Sequence, residues 1–193
     1  MTFSARLVQA FKPALLGLLL VAAAPAFAAD KDDNNRDKVR KTSAEVLQRL
    51  YAAQPSARSA IANSKGYATF SRWGITLGAV GGGIGKGLLV EMPSKKETFM
   101  RFVEGKAGLG LGIKKYDVIF VFQNQQALKD FANNGWTAGG QATAAAKNSG
   151  SGKALEGAIS VSPGVWVYQI TDKGLAAELG ISGTKYYKDT SLN

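Results

Sequence analysis

Hydrophobic and polar positions divide the chain into three textures. The first is an unbroken apolar run from Ala14 to Ala24, 11 residues long, behind a start whose only charges are Arg6 and Lys12. Pro25 ends the run, and Ala26-Phe27-Ala28 then sets small residues at both positions that a signal peptidase reads. A positive start, a short apolar core and an A-x-A site are the three parts of a secretory signal. Cleavage after Ala28 is therefore expected, with residues 1–28 as signal peptide. A membrane-spanning helix needs about 20 apolar residues, more than this run supplies. The chain has no cysteine for lipid attachment.

The second texture is helical. Asp30 to Asp37 carries no apolar residue, so 29–35 reads as a solvated, flexible spacer. Asp30, Asp32 and Asn34 alternate as in a calcium loop, but Asn35 and Lys41 stand where that loop requires glycine and glutamate. From Arg36 to Ala53, apolar Val39, Val46, Leu50 and Ala53 recur at helical spacing. Arg36, Arg40 and Arg49 flank this stripe, and Lys41, Glu45 and Gln48 lie opposite. Pro55 stops the helix and suits the first turn of another, Pro55 to Asn63. A basic amphipathic helix can lie on a membrane. This one has no bulky aromatic on its apolar face apart from Tyr51 at the edge, which favours packing onto the rest of the domain.

The third texture, from Lys65 onward, is short strands and glycines. Strands are expected over 66–73, 84–92, 98–103, 109–113, 117–122, 159–161 and 165–170, with a short helix over 125–133. The segment 175–187 is ambiguous, and Gly180 and Gly183 favour strand. Helices first and strands later predict an α+β domain over 36–193, with N-terminal helices packed on a glycine-rich, mainly antiparallel twisted sheet or partial barrel.

Composition narrows the chemistry. The net charge is +10, and removal of Arg6 and Lys12 with the signal leaves +8. Such an excess points to anionic partners. There is no histidine and no cysteine. Those residues make most transition-metal sites and activated nucleophiles, so a zinc site of usual type and a Ser-His or Cys-His nucleophile are excluded, and no cofactor is expected. The acids Glu91, Glu97, Glu104, Asp117, Glu156 and Glu178 form no pair by spacing, which argues against carboxylate catalysis and against an enzyme. Nucleic-acid binding lacks a basic cluster interleaved with aromatics.

Glycine recurs with strand periodicity twice, at Gly81, Gly83, Gly85 and Gly87, and at Gly108, Gly110 and Gly112. Each segment then has one bare face, which weakens a strand unless another backbone, a sharp bend of a closing sheet or a ligand approaches closely. Neither segment is a phosphate loop. Val80 stands where the first P-loop glycine belongs, Gly87 follows the lysine in place of Ser or Thr, and Lys86 breaks the G-x-G-x-x-G register.

Lys65-Gly66-Tyr67-Ala68-Thr69-Phe70, the Gly81–Val90 stretch, and Gly108-Leu109-Gly110-Leu111-Gly112 leading into Asp117–Phe122 and Ala127-Leu128 together resemble the SYLF domain. Gly139-Gly140-Gln141-Ala142, Val165–Tyr168 and Lys173-Gly174-Leu175 resemble its second half. The resemblance covers roughly Glu45 to the C-terminus, and the bacterial, exported branch is the most similar in style. Eukaryotic members bind phosphoinositide membranes and some bind actin. The chain departs from the family where Thr98–Phe102 replaces a proline-containing stretch of small residues. Actin binding does not suit an exported bacterial protein and is not carried over.

Charge and resemblance together lead to the expectation of an exported, periplasmic binding module for anionic phospholipid or phosphoinositide-like headgroups. Candidate contacts are Arg36, Arg40 and Lys41 on the first helix, and Lys65, Arg72 and Lys86 around the first glycine-rich segment. The alternative is a structural or stress-related envelope protein acting through protein partners, with Trp136, Tyr186 and Tyr187 as candidate interface aromatics.

Overall fold

The computed structural model describes residues 25–77, 80–107, 112–139, 155–176, 179 and 183–193, with side chains throughout except at 25–30, 72–77, 80–81, 106–107 and 112–114. Most of the signal segment, Gly110 and the 140–154 stretch lie outside these residues. The fold is α+β. Helices α1 (Pro25–Ala53) and α2 (Ala57–Ala62) precede four long strands, β1 (Gly66–Leu77), β2 (Val80–Glu91), β3 (Glu97–Ala107) and β4 (Gly112–Phe122). Then come α3 (Gln125–Asn134), β5 (Trp136–Thr137), β6 (Ile159–Ser162), β7 (Val165–Thr171), β8 (Gly174–Leu175) and β9 (Thr184–Lys188). All pairings are antiparallel, in the order β5-β9-β3-β2-β1-β4-β7-β6, with β8 added beside β7.

The sheet is curled into a half-barrel with an inner and an outer face. Alternation along each strand sends Phe70, Leu89, Met100, Phe102, Val118, Phe120, Phe122 and Tyr186 inward, where Leu128 and Phe131 of α3 join them. Phe70 lies edge-on to both Phe102 and Phe120, at 6.0 and 5.9 Å between centroids. Asn124 caps α3 by accepting a hydrogen bond from the Ala127 N–H at 2.8 Å. That cap aims the buried Leu128 and Phe131 at the strands. The curl also brings the Tyr116 hydroxyl of β4 within 3.5 Å of the Glu104 carboxylate of β3, although β1 and β2 lie between them in the sheet.

The outer face is covered by α1 and α2. Val46, Leu50, Ala57 and Ile61 pack on Ile119, Val121, Tyr168 and Ile170. Further along, Val39 joins Leu88, Val90, Phe99 and the C-terminal Leu192. Burial on both faces explains why Asp117–Phe122 is so apolar. Val118, Phe120 and Phe122 point inward and Ile119 and Val121 point to α1, and all five are at most 1% exposed.

Several boundaries differ from the sequence reading. Helix α1 begins at Pro25, so residues 29–35 are helical and Asp30, Asp32 and Asn34 form no loop. A polar helical turn has no apolar stripe to announce it. Strand β2 starts within the glycine run, at Val80, and β4 joins residues 112–113 of the strand read over 109–113 to the strand read over 117–122, while 109–111 lie outside the described residues. The glycine face of β2 is filled by aromatic rings. A methyl group on Gly87 would collide with the Phe70 ring and the Thr69 carbonyl, and one on Gly85 with the Phe102 ring. Neither glycine needs a ligand or a second backbone alone to explain it. Tyr186 is a core residue, and Trp136 packs against the same core.

Candidate functional site

Helix α1 crosses the outer face diagonally. Its apolar stripe sits on β2 and β3 at Val39 and on β4 and β7 at Val46 and Leu50. Between these contacts the buried Ser43 hydroxyl accepts a hydrogen bond from Thr69 Oγ1 of β1 at 2.7 Å. Three arginines tie the helix down along its length. Arg36 donates to the Leu192 carbonyl at 2.9 Å, Arg40 to Glu97 at 2.9 Å and Arg49 to Asp117 at 2.7 Å. Arg40 also meets Asp37 at 2.9 Å and stacks over Phe99 at 5.2 Å. The hydrogen bond to Glu97 is the main cause that raises its guanidinium pKa.

Toward the glycine-rich ends of the strands, α1 leaves the outer face uncovered. There Ile84 of β2 is 75% exposed and Val103 of β3 is 41% exposed, the two strongly exposed large apolar side chains among the described residues. They stand directly opposite each other in the β2–β3 ladder, the closest relationship two strand residues have. The same row continues through exposed Lys185, paired with Val103. One row nearer the helix, Lys86 pairs with Arg101, which pairs with Tyr187. Arg101 is half-exposed, with Asp189 3.7 Å away. Exposed Lys115 stands on β4 at the same level as Trp73 of β1. Two apolar side chains thus sit beside four cations, Lys115 and Lys185 in their own row and Lys86 and Arg101 in the next, on paired strands.

Two clefts flank the helix on this side. One, of about 780 Å³, is lined by Arg49 and Lys115 but also by Asp117 and Asp172. The other, of about 330 Å³, lies between α1 and the β1–β2 ladder.

The structure divides the six cations singled out from the sequence. Arg36 and Arg40 are engaged in holding α1 to the domain, and Lys41 is exposed on the helix. Lys65 is exposed just before β1 begins, at the end away from the glycines. With a rise of about 3.3 Å per residue, it is roughly 20 Å along the strand from the level of Lys86. Arg72 pairs through its backbone with Tyr116. Lys86 is half-buried in the smaller cleft. Ile84, Val103, Arg101, Lys115 and Lys185 were not singled out. The Gly-Ile-Gly-Lys-Gly alternation held the signal for Ile84 and Lys86 on one face, but only the strand register brings the others beside them.

Among the described residues no cluster of three or more carboxylates that could hold a metal occurs, and no helix is long and apolar enough to cross a membrane. The fold is an α+β half-barrel with a helix strapped across its convex side. Residues 103–193 match the family model Ysc84, described as Las17-binding protein actin regulator, and over that stretch the chain is similar to this Ysc84 (SYLF) domain family. Beta cell expansion factor A of Aeromonas veronii is 29% identical over 147 residues, which cover 76% of this chain and 54% of that protein. The chain thus aligns with about half the length of this relative.

Proposed function

We propose that the protein is an exported binding module that docks on anionic lipid bilayers through the uncovered outer face of its sheet, and that it acts by binding and not by catalysis. The observation that carries this reading is the Ile84–Val103 pair, exposed and flanked by Lys86, Arg101, Lys115 and Lys185. Apolar side chains in that setting gain from entering the headgroup boundary. Full burial of an isoleucine-sized side chain is worth about 1.5–3 kcal/mol. Each lysine or arginine near an anionic leaflet adds about 1 kcal/mol. The sum supports reversible, salt-sensitive association. The SYLF family's association with lipid in eukaryotes supports the same ligand class. The engagement of Arg36 and Arg40 within the domain favours the sheet over α1 as the docking surface.

Vesicle cosedimentation tests the proposal. Binding should rise with anionic lipid content and weaken as salt is raised to physiological strength, where the Debye length falls to about 8 Å. Ile84→Asp with Val103→Asp should abolish it and leave the circular dichroism spectrum unchanged. Absence of wild-type cosedimentation at low salt sinks the lipid reading, and an envelope role through protein partners then takes its place.

A further inference from the structure

We infer that the cleft between α1 and the β1–β2 ladder is a seat for a phosphate ester, presented by a bilayer lipid headgroup and held by Lys38 and Lys86. This rests on the docking proposal above and assigns the headgroup a place beside the apolar pair. The two lysines reach the cleft from opposite walls, Lys38 from the helix and Lys86 from β2. Asn35, Lys38 and Thr42 follow one another at spacings of three and four, which puts them on one side of α1. Ser71 lines the facing wall, and the hydrogen-bonded Ser43–Thr69 pair contributes at the inner end. The lining thus offers two ammonium groups, an amide and several hydroxyls, the donor set that an oxyanion requires.

What the lining lacks separates this cleft from its neighbour. Among the described residues no carboxylate lines it and no acid pairs with Lys38 or Lys86. In the larger cleft Arg49 is bound to Asp117 at 2.7 Å, and Lys115 shares the lining with Asp172, so cationic charge is offset there. Lys86 is moreover half-buried, where a positive charge is screened less than at an open surface. A volume of about 330 Å³ accommodates a phosphate with a small polar substituent. Ile84 is two residues from Lys86 on the same strand face. A lipid with its phosphate between the lysines would direct its acyl chains toward Ile84 and Val103, where the bilayer interior would lie.

The test compares two kinds of vesicle, with the protein purified as the cell processes it. Zwitterionic vesicles are doped with phosphatidic acid or with a fatty acid to the same surface charge. Wild type should prefer the phosphatidic acid vesicles by about tenfold, equivalent to ~1.4 kcal/mol. Lys38→Ala with Lys86→Met should erase that preference while keeping the melting temperature and a residual binding common to both vesicles. The methionine retains most of the lysine stem, and Lys86→Ala serves as a second variant if the first melts early. Equal wild-type binding to both vesicles, or a double variant that keeps the preference, overturns the seat without touching the docking proposal. If wild type binds neither vesicle, docking fails on its own. Glycerol 3-phosphate titrated by heteronuclear NMR then decides the seat. Shifts centred on Ser71 and Lys86 that disappear in the double variant support it as a soluble-ester site, and an unchanged spectrum overturns it.

Discussion

The ring of Tyr186 in β9 packs against that of Phe120 in β4 with centroids 4.9 Å apart, although β3, β2 and β1 separate the two strands in the sheet. In a flat sheet four strand spacings amount to about 19 Å. The contact therefore measures the curl. It also shows what holds the curl, because Tyr186 touches Phe70, Phe102, Phe131 and Trp136 as well. Tyr186→Ala should lower stability by about 3–5 kcal/mol, as for other large aromatic truncations in a core. Urea unfolding measures it. A loss below ~1 kcal/mol would mean that the half-barrel is held elsewhere.

The glycines of the sheet should divide by their neighbours. Gly87→Ala places a methyl group against the Phe70 ring and the Thr69 carbonyl and should cost about 1–3 kcal/mol, as overpacking does. At Gly105 an added Cβ has no heavy atom within 4 Å. Gly105→Ala should be neutral or stabilise by up to about 1 kcal/mol through the unfolded chain. Equal melting temperatures for the two variants would remove the ring-packing account of the glycine stripe.

Much of this was open to reading from the residues, and the rest had a physical reason to stay hidden. The α1 stripe was legible because Val39, Val46 and Leu50 repeat at the period of the helix they form, and all three are buried. Ala53 kept the period but is exposed. The glycine alternation announced strands with a bare face, but not that Phe70 and Phe102 from the adjoining strands occupy it. That depends on pairing between residues distant in sequence. The proposed docking surface was hardest to see. Ile84 reads as one more strand residue, and its exposure is decided by where α1 stops crossing the sheet. Lys65 and Lys86 looked like neighbours around one glycine segment, whereas the strand direction sets them far apart.

Tyr168 makes stability depend on alkaline pH. Its ring, on the face of β7 that α1 covers, is fully buried, and its hydroxyl has no hydrogen-bond partner among the described residues. Burial, with Glu156 as a lesser contribution, pushes its pKa up to about 12. A folded-state pKa above the unfolded value of about 10 favours the native state while the phenol is neutral. That contribution is complete below about pH 10 and is lost as pH rises through 12. Burial raises the Tyr51 and Tyr67 pKa values too, so they act in the same direction. Tyr168→Phe should be neutral or stabilising at pH 7, since it removes a buried unpaired hydroxyl. It should also flatten part of the stability loss between pH 10 and 12. Melting curves across that range check it, and a variant as alkali-sensitive as wild type sinks the assignment.

Arg40 and Lys185 should separate the strength of the fold from docking. Arg40 bridges Asp37 and Glu97, each at 2.9 Å, and covers Phe99. Arg40→Glu would set three carboxylates together and remove the stacking cation. Exposed ion pairs contribute only about 0.2–1 kcal/mol each, but here attraction turns to repulsion at two contacts, so a measurable fall in melting temperature is expected. If the sheet is the docking surface, a vesicle assay run well below that melting temperature should show little loss beyond the change in overall charge. Lys185 is exposed and pairs with Val103 at the rim of the apolar patch. Lys185→Glu makes the same change in net charge and should leave melting nearly unaltered, yet weaken vesicle binding by about tenfold, the loss of attraction and gain of repulsion together amounting to ~1–2 kcal/mol. Charge alone predicts equal losses for the two variants. A larger loss for Arg40→Glu would move the docking surface to α1, and only a larger loss for Lys185→Glu is consistent with the sheet.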